Sequence, residues 1–256
     1  MRIARVAHPA GVAFVTVEGE GEDLVAREVA DHPFGEPTFT GKSWPWADIR
    51  PLAPILPSKV ICIGRNYADH AREMGVEPPA EPVMFLKPST SVIGPGAEIK
   101  LPRDSNRVDF EGELAAVIGR PCRDVPASQA KSVVLGYTVG NDVTARDQQK
   151  SDGQWSRAKS HDTFCPLGPW IDTKVDPADL AISTTLDGET KQSSRTSFMM
   201  NDVYKLIEWA SRVMTLLPGD VLLTGTPEGV GPMVAGQTVE VTVEGIGTLS
   251  NPALSR

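Results

Sequence analysis

From Lys59 to the C-terminus, apolar residues fall in short runs and alternations, not in long helical stripes. Val60 to Ile63, Val83 to Leu86, Phe110 to Ile118, Val133 to Val139, Val221 to Thr224 and Thr238 to Glu244 read as strands. In the last, Val239, Val241 and Val243 alternate with Thr and Glu, which predicts one buried and one wet face. Leu186-Asp-Gly-Glu189 is a hairpin turn signal. One stretch has helical periodicity: Asp202 to Met214 sets Val203, Leu206, Ile207, Ala210 and Val213 on one stripe, with Asn201 or Asp202 as N-cap. Many short strands with few helices predict a mainly β (α+β) protein, a sandwich or closed roll. Gly-x-Gly-x-x-Gly after a strand is absent, which excludes a Rossmann nucleotide site.

The pattern changes once along the chain. Ile3 to Ala7, a turn at Pro9-Ala-Gly11, and Val12 to Val17 form a small N-terminal β unit. Prolines at 33, 37, 45, 51, 54 and 57 then predict an irregular linker, with Trp44 and Trp46 packed down onto the next domain. The division is residues 1–55, a small β domain with its Pro-rich linker, and 56–256, the main domain.

Charge and cysteines narrow the function. A net charge of −8, with no basic block, argues against nucleic acid. No apolar run has the length of a membrane span, and Met1-Arg-Ile-Ala-Arg-Val6 lacks a leader's apolar core. Cys62, Cys122 and Cys165 have no Cys-x-x-Cys spacing, so three buried free thiols in a reducing cytoplasm are expected.

The chemistry concentrates at Val108-Asp-Phe-Glu-Gly-Glu-Leu114. On an extended strand Asp109, Glu111 and Glu113 share one face, opposite Val108, Phe110 and Leu114. Either this edge is solvated, or a cation offsets the repulsion of buried like charges. Asp142 in Gly140-Asn-Asp-Val-Thr-Ala-Arg-Asp147 adds another acid. In Gly64-Arg-Asn-Tyr-Ala-Asp-His70-Ala-Arg-Glu73, His70 and Glu73 at i and i+3 meet on one helical face, as a water-activating pair or as an ordinary surface pair. Lys87 follows a buried strand that Pro88 stops, and Lys159 stands alone in a polar loop; a lysine near a keto acid can neutralise an oxyanion, although most lysines are only solvated. Thr224-Gly-Thr226-Pro-Glu-Gly-Val-Gly231 is a strand entering a Gly-rich loop, either an anion cradle or a turn.

Six of these segments, Gly64 to His70, Phe85-Leu-Lys87-Pro-Ser, Glu111-Gly-Glu113, Asp142 to Asp147, Ala158-Lys159-Ser and Thr224 to Gly231, occur in the order found in the fumarylacetoacetate hydrolase (FAH) family. From about Val60 onward the chain resembles that family, most of all its acylpyruvate hydrolase and oxaloacetate decarboxylase branch and the related 2-hydroxyhepta-2,4-diene-1,7-dioate isomerases. The resemblance implies an FAH-type mixed β-sandwich roll, a homodimer, and Mg²⁺ or Mn²⁺ (with Ca²⁺ able to substitute) held by Glu111, Glu113 and Asp142. It implies His70 with Glu73 as the catalytic dyad on a closing lid, Lys159 beside the metal, and Thr226 on the substrate carboxylate. Arg65, Lys87 and Gln148 match positions lining the same pocket. Ile63 stands where true fumarylacetoacetases carry a fourth carboxylate, and their larger N-terminal domain is missing, so that activity is disfavoured. Asp109 is read as flanking, not ligating.

Three carboxylates leave a hard octahedral cation with positions for water and a chelating 2-keto acid, whose enolate it stabilises. Hydrolysis, decarboxylation and isomerisation share that enolate; the His–Glu pair tilts the expectation towards C–C hydrolysis or decarboxylation, with the dienedioate isomerase as alternative. A Ca²⁺-binding β-roll without catalysis predicts a filled coordination shell instead of an open cavity.

Overall fold

The computed structural model describes residues 1–256, and strands (43%) far outweigh helices (18%), as the patterning predicts. The largest sheet runs in order through Phe39–Pro45, Val25–Val29, Gly11–Glu18, Arg2–His8, Cys165–Asp172, Val134–Asn141, Gly112–Ile118, Val221–Leu223, Val60–Gly64 and Val83–Lys87. A five-stranded sheet follows the order Glu189–Arg195, Ala181–Leu186, Thr238–Val243, Gly247–Ser255 and Ile99–Leu101. A small third sheet joins Thr144–Ala145, Val108–Phe110 and Gly231–Met233.

The N-terminal strands extend the large sheet, because Arg2 and Ile3 pair antiparallel with Asp172 and Ile171. The prolines do not keep the following segment irregular throughout: Phe39–Pro45 is a seven-residue strand paired with Val25–Val29. It lies at the sheet's edge, and its proline is its last residue, where a missing N–H costs least. Trp46 reaches the main domain, meeting Trp170 edge-on with ring centroids 5.7 Å apart, whereas Trp44 stacks on His8 of its own N-terminal unit at 4.4 Å.

The region read as one strand from Phe110 to Ile118 breaks at Glu111. Val108 and Phe110 pack in one apolar cluster with Phe164 and Met233. Beyond the break, every residue of Gly112–Ile118 is buried. Ala115 and Val117 face Val60, Cys62, Val221 and Leu223, while Leu114, Ala116 and Ile118 face helix Val203–Val213 and the five-stranded sheet. A strand covered on both faces is rigid, and that rigidity fixes the backbone of the acids at its start.

Helix Val203–Val213 is capped by Asp202, whose carboxylate accepts from Lys205 N–H at 2.9 Å. Val213, placed on the buried stripe by periodicity, is exposed; Ser211 is buried in its stead. The backbone of Asp124 and Val125 hydrogen-bonds to Ser211 and covers that side of the last turn. The turn at Asp187-Gly188 has φ of 51° and 81°, the two positive values that a two-residue hairpin of this hand requires. All three cysteines are buried and free.

Candidate active site

The break at Glu111 and the register of the adjacent strand build the acidic cluster. Gly112 pairs with Asn141, so Asp142 arrives beside Glu111 and donates its N–H to the Glu111 carbonyl at 2.8 Å. The Asn141 side chain accepts from Glu111 N–H at 2.9 Å. One carboxylate oxygen from each of Glu111, Glu113 and Asp142 lies within 4.8 Å of the others, and all three residues are buried.

Burying carboxylates costs several kcal/mol each unless they are paired. Lys159 Nζ lies 2.7 Å from Glu111 and 2.6 Å from Asp142. Lys87 Nζ is 2.7 Å from the other Asp142 oxygen, though its protons are directed to the carbonyls of Val143, Lys159 and Phe164. Arg146 bridges Glu111 and Asp109, and Arg107 also grips Asp109, so Asp109 is committed to ion pairs outside the cluster. Burial alone would raise the Glu111 carboxyl, but Lys159 and Arg146 outweigh it and hold that group well below the usual range. Glu113 has no such cation. Burial, then the negative charges of Asp142 and Glu111, push it well above the usual range, against one hydrogen bond from Gly225 N–H at 2.7 Å. Three buried hard oxygen donors, one lacking a cationic partner, match the requirements of Mg²⁺ or Mn²⁺.

Glu111, Glu113 and Lys159 open onto a cavity of about 220 Å³, which His70, Arg65 and Thr226 also line. His70 comes from the short helix Ala68–Glu73, ended by Gly75 at φ 71°. Its Nδ1 lies 3.2 Å from Glu73, whose other oxygen accepts from Gly229 N–H at 3.1 Å. One carboxylate thus ties the imidazole to the Gly-rich loop and leaves Nε2 unclaimed by the pair. Arg65 sits in the left-handed region at φ 59°, its guanidinium 5.5 Å from the Trp155 ring centre. A side chain in that region is costly unless the surroundings impose it.

Two residues expected to line the pocket do not. Lys87 is fully buried behind Asp142, with its ammonium spent on carbonyls. Gln148 turns away, donating to the Asp104 carbonyl at 3.2 Å and meeting His161 at 2.8 Å. On helix Arg146–Asp152 a one-residue step rotates the side chain by about 100°, so Gln149 faces the cavity instead. Patterning also passed over Arg146, Lys150 and Trp155, which line the cavity, and the buried Gln192. Arg146 had a signal, its place four residues after Asp142 within the Asp142 to Asp147 motif. Gln192 had none, since it lies in the wholly polar run Glu189–Arg195.

Gly112, between two of the acids, admits no side chain. A Cβ there would lie 2.2 Å from Thr184 Oγ1 and 2.9 Å from Val241 Cγ1. We expect Gly112→Ala to cost about 1–3 kcal/mol in urea unfolding, the usual effect of overpacking. Wild-type stability would mean that the sheets separate easily at this point.

Residues 59–253 match the family model described as fumarylacetoacetate (FAA) hydrolase C-terminal. The chain belongs to the fumarylacetoacetate hydrolase family. Residues 1–54 match a separate model, Rv2993c-like, N-terminal. The crystal structure of 5-carboxymethyl-2-hydroxymuconate delta-isomerase from Mycobacterium smegmatis is similar over the whole of both chains, with 61% identity and a TM-score of 0.95. Oxaloacetate tautomerase fahd2, mitochondrial, from Xenopus laevis is 46% identical over 81% of this chain and 69% of its own. Fumarylpyruvate hydrolase from Pseudomonas aeruginosa, solved with Mn²⁺ and pyruvate, is 37% identical with a TM-score of 0.75, over 80% of this chain and 91% of that one. Members of this FAH family are enzymes, as these relatives are. No helix of the protein is long and apolar enough to cross a membrane.

Proposed function

We propose that this FAH-family enzyme is divalent-metal-dependent and moves a proton at the carbon beside the keto group of a small 2-keto acid. The observation that carries the reading is the shared cavity: His70, held by Glu73 at 3.2 Å, lines the same space as Glu111 and Glu113 of the three-carboxylate cluster. Glu111, Glu113 and Asp142 would hold Mg²⁺ or Mn²⁺. When bound, the metal supplies Lewis-acid stabilisation of the charge that develops as the keto acid enolises.

The remaining roles belong to the chain. His70 takes or returns the proton, with Glu73 fixing the ring's tautomer and orientation. Lys159 places a cation beside Glu111 and Asp142, where it can balance negative charge appearing in the cavity. Arg65, Lys150 and Thr226 offer partners for substrate carboxylates. Lys87 supports Asp142 from behind. An open cavity beside the acids is also what separates an enzyme from a purely structural Ca²⁺ site, whose coordination shell would be filled by the protein.

A proton shift is preferred over cleavage because a relative 61% identical over the whole chain is an isomerase and the frog relative a tautomerase. C–C hydrolysis is the second reading. It is favoured by the fumarylpyruvate hydrolase relative and by a dyad suited to activating water. Purified protein with Mg²⁺ or Mn²⁺, assayed against enol-oxaloacetate, acylpyruvates and hydroxymuconate-type dienes, separates the two. Metal-dependent isomerisation without cleavage is expected; turnover confined to acylpyruvates would install the second reading, and no turnover of any keto acid would remove both. The same reading takes the protein as a homodimer, which sedimentation tests.

Helix Ala68–Glu73 buries only His70 and Ala71 and is held to the Gly-rich loop through Glu73. So small an apolar contact is easily opened. Backbone amides from 68 to 75 should exchange faster than those of Gly112–Ile118 and slow when oxalate is added with Mn²⁺. Equal protection with and without oxalate would exclude a lid.

A further inference from the structure

Strand Glu189–Arg195 has a single buried residue, Gln192, 1% exposed in an otherwise polar run. It belongs to the five-stranded sheet, yet its amide reaches across to the acids of the large one. Its Oε1 accepts from Gly112 N–H at 3.0 Å. Its Nε2 donates to Thr226 Oγ1 at 2.8 Å and to the Pro227 carbonyl at 2.9 Å. Thr226 Oγ1 in turn donates to the Gly112 carbonyl at 3.0 Å.

These contacts form a closed ring running one way: Gly112 N–H to Gln192, Gln192 to Thr226, Thr226 to Gly112 C=O. The two backbone groups decide the amide's orientation. Reversed, it would set an NH₂ against Gly112 N–H and a carbonyl against the Pro227 carbonyl. Thr226 Oγ1 is therefore held by a donor on one side and by its own proton on the other, which fixes its rotamer. Gly112 is the residue between Glu111 and Glu113, and Gly225 N–H already binds Glu113. The ring thus clamps the Thr226 loop to the bend that carries two acids, at a distance set by one glutamine side chain.

We infer that Gln192 is a positioning residue: by holding the loop at Thr226, whose hydroxyl proton is spent on Gly112 and whose backbone N–H has no acceptor within the protein, it sets where the carboxylate of a keto-acid ligand rests relative to Glu111 and Glu113. This rests on the keto-acid reading above. It touches neither ligand nor metal, so its removal should weaken the ligand and spare the cation.

The test is a double-mutant cycle on Mn²⁺-loaded full-length protein, read calorimetrically with oxalate as a probe shaped like pyruvate. Gln192→Met keeps the size and removes all three hydrogen bonds; Thr226→Val removes the hydroxyl. Each should weaken oxalate about tenfold, because the loop at Thr226 is no longer held against Gly112, and the double variant also about tenfold, because both disable one device. Mn²⁺ affinity in Gln192→Met should stay within about threefold of wild type, since every ligand to the cation is retained. A double variant weakened by the product of the two single losses would overturn the inference, as would Gln192→Met binding oxalate like wild type. Should the Met variant fail to fold, Gln192→Glu, which keeps the acceptor for Gly112 N–H, takes its place in the cycle, and the same two results would overturn the inference. Failure of the wild type to bind oxalate at all would instead remove the keto-acid reading.

Discussion

Replacing Glu113 with Gln should abolish tight Mn²⁺ binding while leaving the metal-free fold at least as stable as wild type. Glu113 is the acid that no cation neutralises, and it lies within 4.8 Å of two others. Glutamine removes that buried charge yet retains an oxygen to accept the Gly225 N–H, so the repulsion falls and the hydrogen bond survives. Loss of an outer partner of a metal ligand already costs roughly 10- to 100-fold in affinity, and loss of an anionic ligand should exceed that. The measurement is thermal unfolding with and without Mn²⁺. At a hundred times the dissociation constant a native-state ligand adds about 2.7 kcal/mol, and the variant should show none of that gain. A variant still stabilised by Mn²⁺ as strongly as wild type would place the cation elsewhere.

The second large effect is expected at His70. Turnover by His70→Ala should fall by roughly two to four orders of magnitude, the range for a positioned general base. Oxalate affinity should barely change, because the acids and Thr226 remain. Glu73→Gln should give a smaller loss than His70→Ala, since the base stays in place and only its orientation is altered. The substrates divide the two readings of the function. A His70→Ala variant inert towards every keto acid fits one base serving the whole reaction. A variant inert towards acylpyruvates that still isomerises a dienedioate would assign His70 to water activation and the proton shift to another group. Full activity would take His70 out of the chemistry.

Much of this protein was legible before any fold was known, because strands and turns announce themselves locally. Period-two alternation gave Thr238–Val243, an Asp-Gly pair gave the hairpin after Leu186, and a capped apolar stripe gave helix Val203–Val213. The acids Glu111, Glu113 and Asp142 were visible too, since like charges crowded onto short strands demand an explanation in any fold. Only the tertiary structure decided how they are held. The break at Glu111, the Gly112–Asn141 register and the arrival of Lys159 and Arg146 are long-range events that no local pattern encodes. Helix phase decided that Gln149, and not Gln148, faces the cavity, and a three-carbonyl cage turned Lys87 into a buried support. Gln192 is the extreme case. In sequence it is one polar residue among others on a solvated strand, and it acquires meaning only where two sheets meet and a single amide can satisfy Gly112, Thr226 and Pro227 together. Sequence determines which groups are costly to bury; the packing of distant segments determines which partners make that burial possible.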